Sequence, residues 1–219
     1  MDLIRLYKIK EPQILVDNKK HWTQEYLNLI KEDKEIPKVI RNRYSQPEIK
    51  EQLIIETHGK CAYCESKLRH VSSGDIEHIE PKNKDARPDL YIEWTNLTLA
   101  CESCNRKGKK KYYNPDLPLI NPYVEEPEDH LMIFGSMILG QPGNDRGAIT
   151  EKILKLNRAE LLERRQEKIR LIEVKVNNWM KTNDKYLKKI LKEELIEEIS
   201  PEKEYSSTIR SYLKHLEFI

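Results

Sequence analysis

Cys61-Ala-Tyr-Cys64, Asp75-Ile-Glu77-His78, Trp94-Thr-Asn96-Leu97 and Cys101-Glu-Ser-Cys104-Asn105 follow one another in a single stretch of the chain. Each Cys-x-x-Cys offers two thiolates from a tight knuckle, and two knuckles complete the four-coordinate shell of a closed structural zinc site. Cys61, Cys64, Cys101 and Cys104 are all the cysteines of the chain. Residues 65–100 separate the halves by more than a simple ribbon spacing, so the zinc site is expected to hold an insertion. The alternative is a pair of disulfides. No charged-then-apolar leader opens the sequence, and a reducing compartment would disfavour disulfides.

The insertion carries the chemistry. Glu77 and His78 are adjacent, so on an extended segment their side chains leave opposite faces and do different work. A carboxylate suits a hard divalent cation such as Mg²⁺, whereas an imidazole with an ordinary pKa near 6.5 suits proton abstraction from water. Asn105, directly after the last cysteine, offers a second oxygen ligand. Asn96 follows an aromatic in a loop, where its amide can bond backbone groups and fix the segment carrying the histidine. Taken singly these residues say little, since an asparagine in a loop usually serves a turn and a lone histidine usually sits at the surface. Their order between two knuckles points to a one-metal site for phosphodiester hydrolysis.

Asp75-Ile-Glu77-His78-Ile-Glu-Pro81, Trp94-Thr-Asn96-Leu97 and Cys104-Asn105-Arg-Lys107 together resemble the HNH endonucleases of the ββα-metal (His-Me finger) class. The resemblance implies His78 as general base, Asn96 as the residue that orients it, and Glu77 and Asn105 as ligands of a catalytic Mg²⁺ or Mn²⁺. Asn105 stands where other members carry a histidine, giving an H-N-N form. A narrower likeness adds Cys61-Ala-Tyr-Cys-Glu65, Pro118-Leu-Ile-Asn-Pro-Tyr123 and Leu156-Asn-Arg158 through Leu161, and is similar to the HNH nuclease subunit of Septu-type and retron-associated anti-phage systems. That likeness alone implies an ABC-type ATPase partner, because no ATP-binding motif is present. Two other classes compete: a non-catalytic zinc module that only binds nucleic acid, and a regulatory subunit that docks an ATPase without cutting.

Composition bounds the rest. Over 219 residues, 35% are charged and 38% hydrophobic, which favours amphipathic helices and a zinc staple over one large core. The net charge is only +2, so a nucleic-acid binder must concentrate its basic groups. Arg106, Lys107, Lys109, Lys110 and Lys111 do so beside the site and are expected to contact phosphate, the bland alternative being a solvated turn. Lys82 could reach a phosphate or be an ordinary loop lysine, and the sequence favours neither. The longest apolar run is too short for a membrane span, and a cytoplasmic location is expected. DNA and RNA are equally open as targets, since no recognition helix or aromatic stacking platform is legible.

Periodicity predicts a helix over 18–31 with Trp22, Tyr26, Leu29 and Ile30 on one face. A second is predicted over 47–57, with Pro47 in its first turn and Gly59 as its stop. A strand around Glu77 and a short helix over 101–107 complete ββα. Leu131–Phe134 and Met137–Leu139 flank Gly135-Ser136 as a hairpin. Helical spacing then runs to the end, with Ser206-Ser207 as a cap. The expected architecture is α+β and mainly helical. Its parts are an N-terminal helical brace (1–59), a zinc-stapled ββα-metal core (60–114) and a hairpin with C-terminal helices (115–219). The C-terminal stripes are expected to pack intramolecularly by default, with partner docking as the alternative the resemblance favours.

Overall fold

The structure is a computed structural model that describes residues 5–68, 74–110 and 112–219. Helix takes up 51% of the described residues and the sheets are small, as the α+β, mainly helical expectation requires. Helix α1 runs Gln13–Lys31, α2 Lys38–Arg41 and α3 Pro47–Glu56. Strands β1 (Asp75–His78) and β2 (Leu97–Ala100) pair antiparallel, Glu77 opposite Thr98 and His78 opposite Leu97. A wide-turn π-helix over Ser103–Lys109 closes the ββα unit. Then come β3 (Leu131–Phe134), β4 (Met137–Gly140), α4 (Asp145–Ile153), α5 (Ala159–Lys181), α6 (Lys185–Glu197) and α7 (Ser206–His215).

Helix α1 begins earlier than its periodicity suggests. Pro12, with φ −57° and ψ 142°, ends an extended entry, and Leu15 in the first turn is fully buried. Asn18 is therefore mid-helix, its Nδ2 donating to the Ile14 carbonyl at 2.9 Å. Helix α3 matches its reading. It stops because Gly59, at φ +66°, turns the chain left-handed while its N–H donates to the Ile54 carbonyl at 2.7 Å.

One apolar core runs from Leu15 through Leu53, Cys61, Leu97, Leu99 and Leu156 to Tyr205, so all three sequence segments share it. Lys8 reaches into it, bonding Glu56 Oε1 at 3.0 Å and the Leu97 carbonyl, which ties the entry segment to β2. Gly108 lets the π-helix meet α4, since a Cβ there would lie 2.8 Å from the Ile153 carbonyl oxygen. The hairpin β3–β4 forms with Gly135-Ser136 as its two-residue turn.

Much of the C-terminal stripe packs on itself. Ile169, Ile172, Val176, Leu195, Ile209 and Leu213 form a second buried cluster, capped by an edge-to-face contact of Trp179 with Phe218 at 4.8 Å. Ser206 and Ser207 are not caps. They are buried first residues of α7, and the capping acceptor is Glu65 from the first knuckle, which takes bonds from Ser206 Oγ (3.1 Å) and the Ser207 N–H (3.3 Å). A carboxylate at a helix N-terminus is favourable electrostatically, so the knuckle and α7 hold one another.

Candidate nuclease centre and metal sites

The four cysteine sulfurs all lie within 4.8 Å of one another, and Cys64 and Cys101 Sγ are 3.8 Å apart. A tetrahedral ion with bonds of about 2.3 Å to sulfur needs edges of about 3.8 Å, whereas a disulfide needs about 2.05 Å. All four are free thiols in this geometry. The donor set fits a four-coordinate soft metal. Hydrogen bonds from Cys101 and the other two cysteines hold the Cys64 thiol well below its ordinary value, and the Arg158 guanidinium adds to them. Arg158 reaches Cys64, Cys101 and Cys104 Sγ at 3.7–3.8 Å, placing one positive charge against a cluster that stays anionic even around a divalent ion. The Ala62 N–H donates to the Leu99 carbonyl at 2.9 Å, fastening the first knuckle to β2.

β1 delivers Glu77 and His78 into different surroundings, both buried. His78 Nε2 lies 2.8 Å from the Tyr91 carbonyl. A carbonyl can only accept, so Nε2 carries the proton and Nδ1 keeps its lone pair. Burial pushes the His78 pKa well below its ordinary value, with Lys82 and then Lys109 adding to the fall and the Tyr91 carbonyl opposing it. The imidazole is therefore neutral at neutral pH.

Tyr91 is itself immobilised. Its ring stacks on Tyr26 at 4.0 Å, and its hydroxyl donates to the Ile40 carbonyl at 2.8 Å. Tyr44 meets the His78 ring edge-on at 4.7 Å. These contacts come from the N-terminal brace, which thus shapes the histidine's environment as well as leading the chain to the first knuckle. No local sequence signal marks Tyr44 or Tyr91, whose partners are distant in the chain.

Asn96 works through backbone. Its Oδ1 accepts from the Glu80 N–H (2.8 Å), while Nδ2 donates to the carbonyls of Glu80 (2.9 Å) and Leu90 (3.1 Å). One buried amide thus clamps the segment leaving His78 to the loop whose next residue supplies the carbonyl for Nε2.

Glu77 Oε1 receives Lys109 Nζ at 2.5 Å, and the same ammonium bonds the His78 carbonyl. Lys109 is 3% exposed. It therefore leaves the group expected to meet phosphate from solvent: the helix turns it inward, where Glu77 compensates its charge. Burial raises the Glu77 carboxyl above its ordinary value despite the lowering pull of Lys109. Besides Lys109, the Glu77 carboxylate takes a bond from the His78 backbone N–H, and the Asn105 side chain has no hydrogen-bond partner among the described residues. This pair of hard oxygen donors fits a divalent cation in chemistry, with Lys109 already on one carboxylate oxygen.

Arg106 and Lys107 are 67% and 63% exposed in their side chains and pair with Asp75 at 2.7 Å and Glu102 at 3.5 Å, and Lys110 is exposed. Lys111 lies outside the described residues. Lys82 sits 3.3 Å above the Tyr44 ring, and its pKa falls to about 7 through burial, with Arg41 adding to the fall and Glu77 opposing it.

Residues 61–111 match the model of the HNH endonuclease family. The chain is 30% identical over 161 residues to the Septu protein PtuB of Bacillus thuringiensis, covering 73% of this chain and 57% of that one. It is 29% identical over 160 residues to the Septu protein PtuB of Bacillus mycoides (strain KBAB4), covering 60% and 54%. The chain therefore spans little more than half the length of these relatives.

Proposed function

We propose that this chain, which carries an HNH endonuclease domain at residues 61–111, hydrolyses phosphodiester bonds of nucleic acid as the nuclease of an anti-phage defence system. The observation that carries the reading is the arrangement around His78. A neutral, buried imidazole has Nε2 committed to the Tyr91 carbonyl, Asn96 bracing that loop, and the Glu77 carboxylate next to it in the chain. Binding nucleic acid requires none of this.

In the proposed reaction His78 Nδ1 takes a proton from water as its oxygen forms a bond to phosphorus, and the bond from phosphorus to the 3′-oxygen breaks in line. Asn96 and Tyr91 keep Nδ1 in its proton-accepting tautomer and the ring in place. Glu77 and Asn105 would hold Mg²⁺ or Mn²⁺, which when bound supplies positive charge for the phosphate and the leaving oxygen. Cys61, Cys64, Cys101 and Cys104 hold zinc in a structural role. Arg106, Lys107, Lys110 and Lys82 are the basic groups that meet the phosphate backbone. The ABC-type ATPase partner follows from the likeness to Septu-type nucleases, and Leu171, Val174, Met180 and Tyr186, exposed on α5 and α6, are apolar groups such a partner would cover.

The competing reading is a zinc module that binds nucleic acid or an ATPase without cutting, and the Lys109 ammonium on Glu77 is the observation in its favour. The test is a cleavage panel with plasmid, single-stranded DNA and transfer RNA, using wild-type and His78→Ala protein, with and without the candidate ATPase. Cleavage that needs both His78 and a divalent ion supports the nuclease. Binding without any cleavage under every condition sinks it.

A further inference from the structure

Beside the centre lies an open cleft of about 410 Å³, within the range of roughly 300–1,000 Å³ usual for small-molecule sites. One wall is Ile79–Pro81, the segment that leaves His78 and that Asn96 clamps. Lys109, whose ammonium bonds Glu77, also belongs to the lining, so the cleft adjoins the residues around that carboxylate. Tyr112, Tyr113 and Asn114 also line the cleft.

The charges on the lining decide what the cleft can hold. Arg87 spends its nitrogens on Asp89 (2.7–3.2 Å) and Glu80 (3.5 Å). Arg146 spends its own on Glu125 (2.6 and 2.8 Å) and the Pro118 carbonyl (3.1 Å). Lys109 is likewise committed. A phosphate entering here would find every lining cation already paired and two carboxylates beside them, which disfavours an anion.

What remains open is of another kind. The Asn114 Oδ1 is occupied by the N–H groups of Asp116 and Leu117, which leaves its Nδ2 as a donor. The Asn121 Oδ1 is likewise taken by the Tyr123 N–H at 3.0 Å, and its Nδ2 is left. The Tyr113 hydroxyl has no hydrogen-bond partner among the described residues. Its ring and that of Tyr112, whose hydroxyl goes to the Leu117 carbonyl, stack on no described side chain. Two aromatic rings and two amide donors without a described partner match a neutral, planar group with an acceptor-rich edge.

We propose that this cleft receives an unstacked nucleobase next to the scissile phosphodiester, with Tyr113 against its face and the Asn114 and Asn121 amides on its acceptor edge. The inference rests on the nuclease reading and adds to it the state of the substrate. A base inside a duplex cannot enter a side cleft, so the strand at the cut is single, bulged or locally opened. Among the bases, guanine presents two acceptors on one edge through O6 and N7 and makes the best use of two amide donors.

The test uses full-length, zinc-loaded His78→Ala protein and fluorescein-labelled single-stranded DNA and RNA of one mixed sequence. An abasic site is walked along each strand, and affinity is read by anisotropy. One position should stand out, weakened roughly 5- to 100-fold, as expected for a single stacked base. That position should lose its effect when Tyr113→Ala is added, whereas Tyr113→Phe should keep it. Asn121→Ala should narrow the preference for guanine there, with zinc content and circular dichroism unchanged in all variants. The DNA and RNA arms show which backbone carries the base. A flat abasic walk, or fully paired duplex bound as tightly as single strand, overturns the proposal. Absence of cleavage by wild-type protein on a strand that shows the abasic position sinks the nuclease reading and leaves the cleft a base-binding site.

Discussion

Replacing Lys109 by methionine keeps the buried stem and deletes the ammonium, which strands Glu77. The pair is closed to solvent, with side-chain exposures of 2% and 8% at an N···O distance of 2.5 Å. Removing one partner of such a pair typically costs about 3–5 kcal/mol, because the other charge stays buried without compensation. Against a usual total of about 5–15 kcal/mol this is a large fraction. The loss should depend on pH in a defined direction. Burial already raises the Glu77 carboxyl in the folded protein while Lys109 holds it back, so without Lys109 it rises further. A raised folded pKa gives stability that is full below the unfolded value, about 4.3 for glutamate, and is lost as pH rises through the folded value. Lys109→Met should therefore be close to wild type near about pH 5 and several kcal/mol weaker near about pH 8. Mg²⁺ should restore more stability to the variant than to wild type, since an ion can take the vacated carboxylate oxygen. Urea unfolding of zinc-loaded protein at the two pH values, with and without Mg²⁺, measures all three effects. A deficit that is the same at both pH values, or below about 0.5 kcal/mol, would refute the account of Lys109 as the buried counter-charge of Glu77.

His78→Ala should lower cleavage by roughly 10²- to 10⁴-fold with unchanged circular dichroism; a wild-type rate would show that His78 is not the base. Mild EDTA should stop activity reversibly, with Mg²⁺ or Mn²⁺ restoring it, while Cys61→Ser and Cys104→Ser should lose zinc by elemental analysis and unfold the core; a full-length protein purified without zinc contradicts the assignment of the four cysteines. Lys82, with a pKa of about 7, carries its charge below that pH and loses it above. Oligonucleotide affinity at low salt should thus fall between about pH 6 and 8 in wild type, and less so in Lys82→Arg, whose guanidinium stays charged; equal slopes would place Lys82 away from the phosphates.

What the sequence made legible was whatever depended on spacing along the chain. The four-cysteine cluster, the ladder holding Glu77 and His78, the end of α3 at Gly59 and the turn at Gly135-Ser136 all follow from short-range rules about ligands, alternation and φ. The partners of those residues were not legible. Tyr44 and Tyr91 meet His78 through tertiary packing, and nothing within a few residues of either announces it. The basic run after Asn105 reads as one group, yet the wide turn of the π-helix sends Lys109 inward and leaves Arg106, Lys107 and Lys110 outside. Leu156-Asn-Arg158 stands out as a motif with no role until the fold places Arg158 on three cysteine sulfurs. Asn157 meanwhile clamps the hairpin through both the N–H (2.9 Å) and the carbonyl (2.7 Å) of Ile138.

These late-chain contacts bear on how far the chemistry can be separated from the helices that follow it. Lys60, 4% exposed and one residue before Cys61, bonds the Lys203 carbonyl at 3.0 Å. Glu65, one residue after Cys64, caps α7, and Ser66 Oγ meets the Tyr205 hydroxyl at 3.0 Å. Arg158 adds the only cation that reaches the cysteine sulfurs among the described residues. Without residues 158–219 the knuckle would keep a buried lysine and a cluster of thiolates with fewer compensating groups, a costly state for charges out of water. From the knuckle the connection continues through the Ala62 N–H and the Leu99 carbonyl into β2, and across the ladder to Glu77 and His78. The C-terminal helices are thus part of what holds β1 in place, and a molecule seated on α5–α7 bears on that strand through a short series of hydrogen bonds and ion pairs.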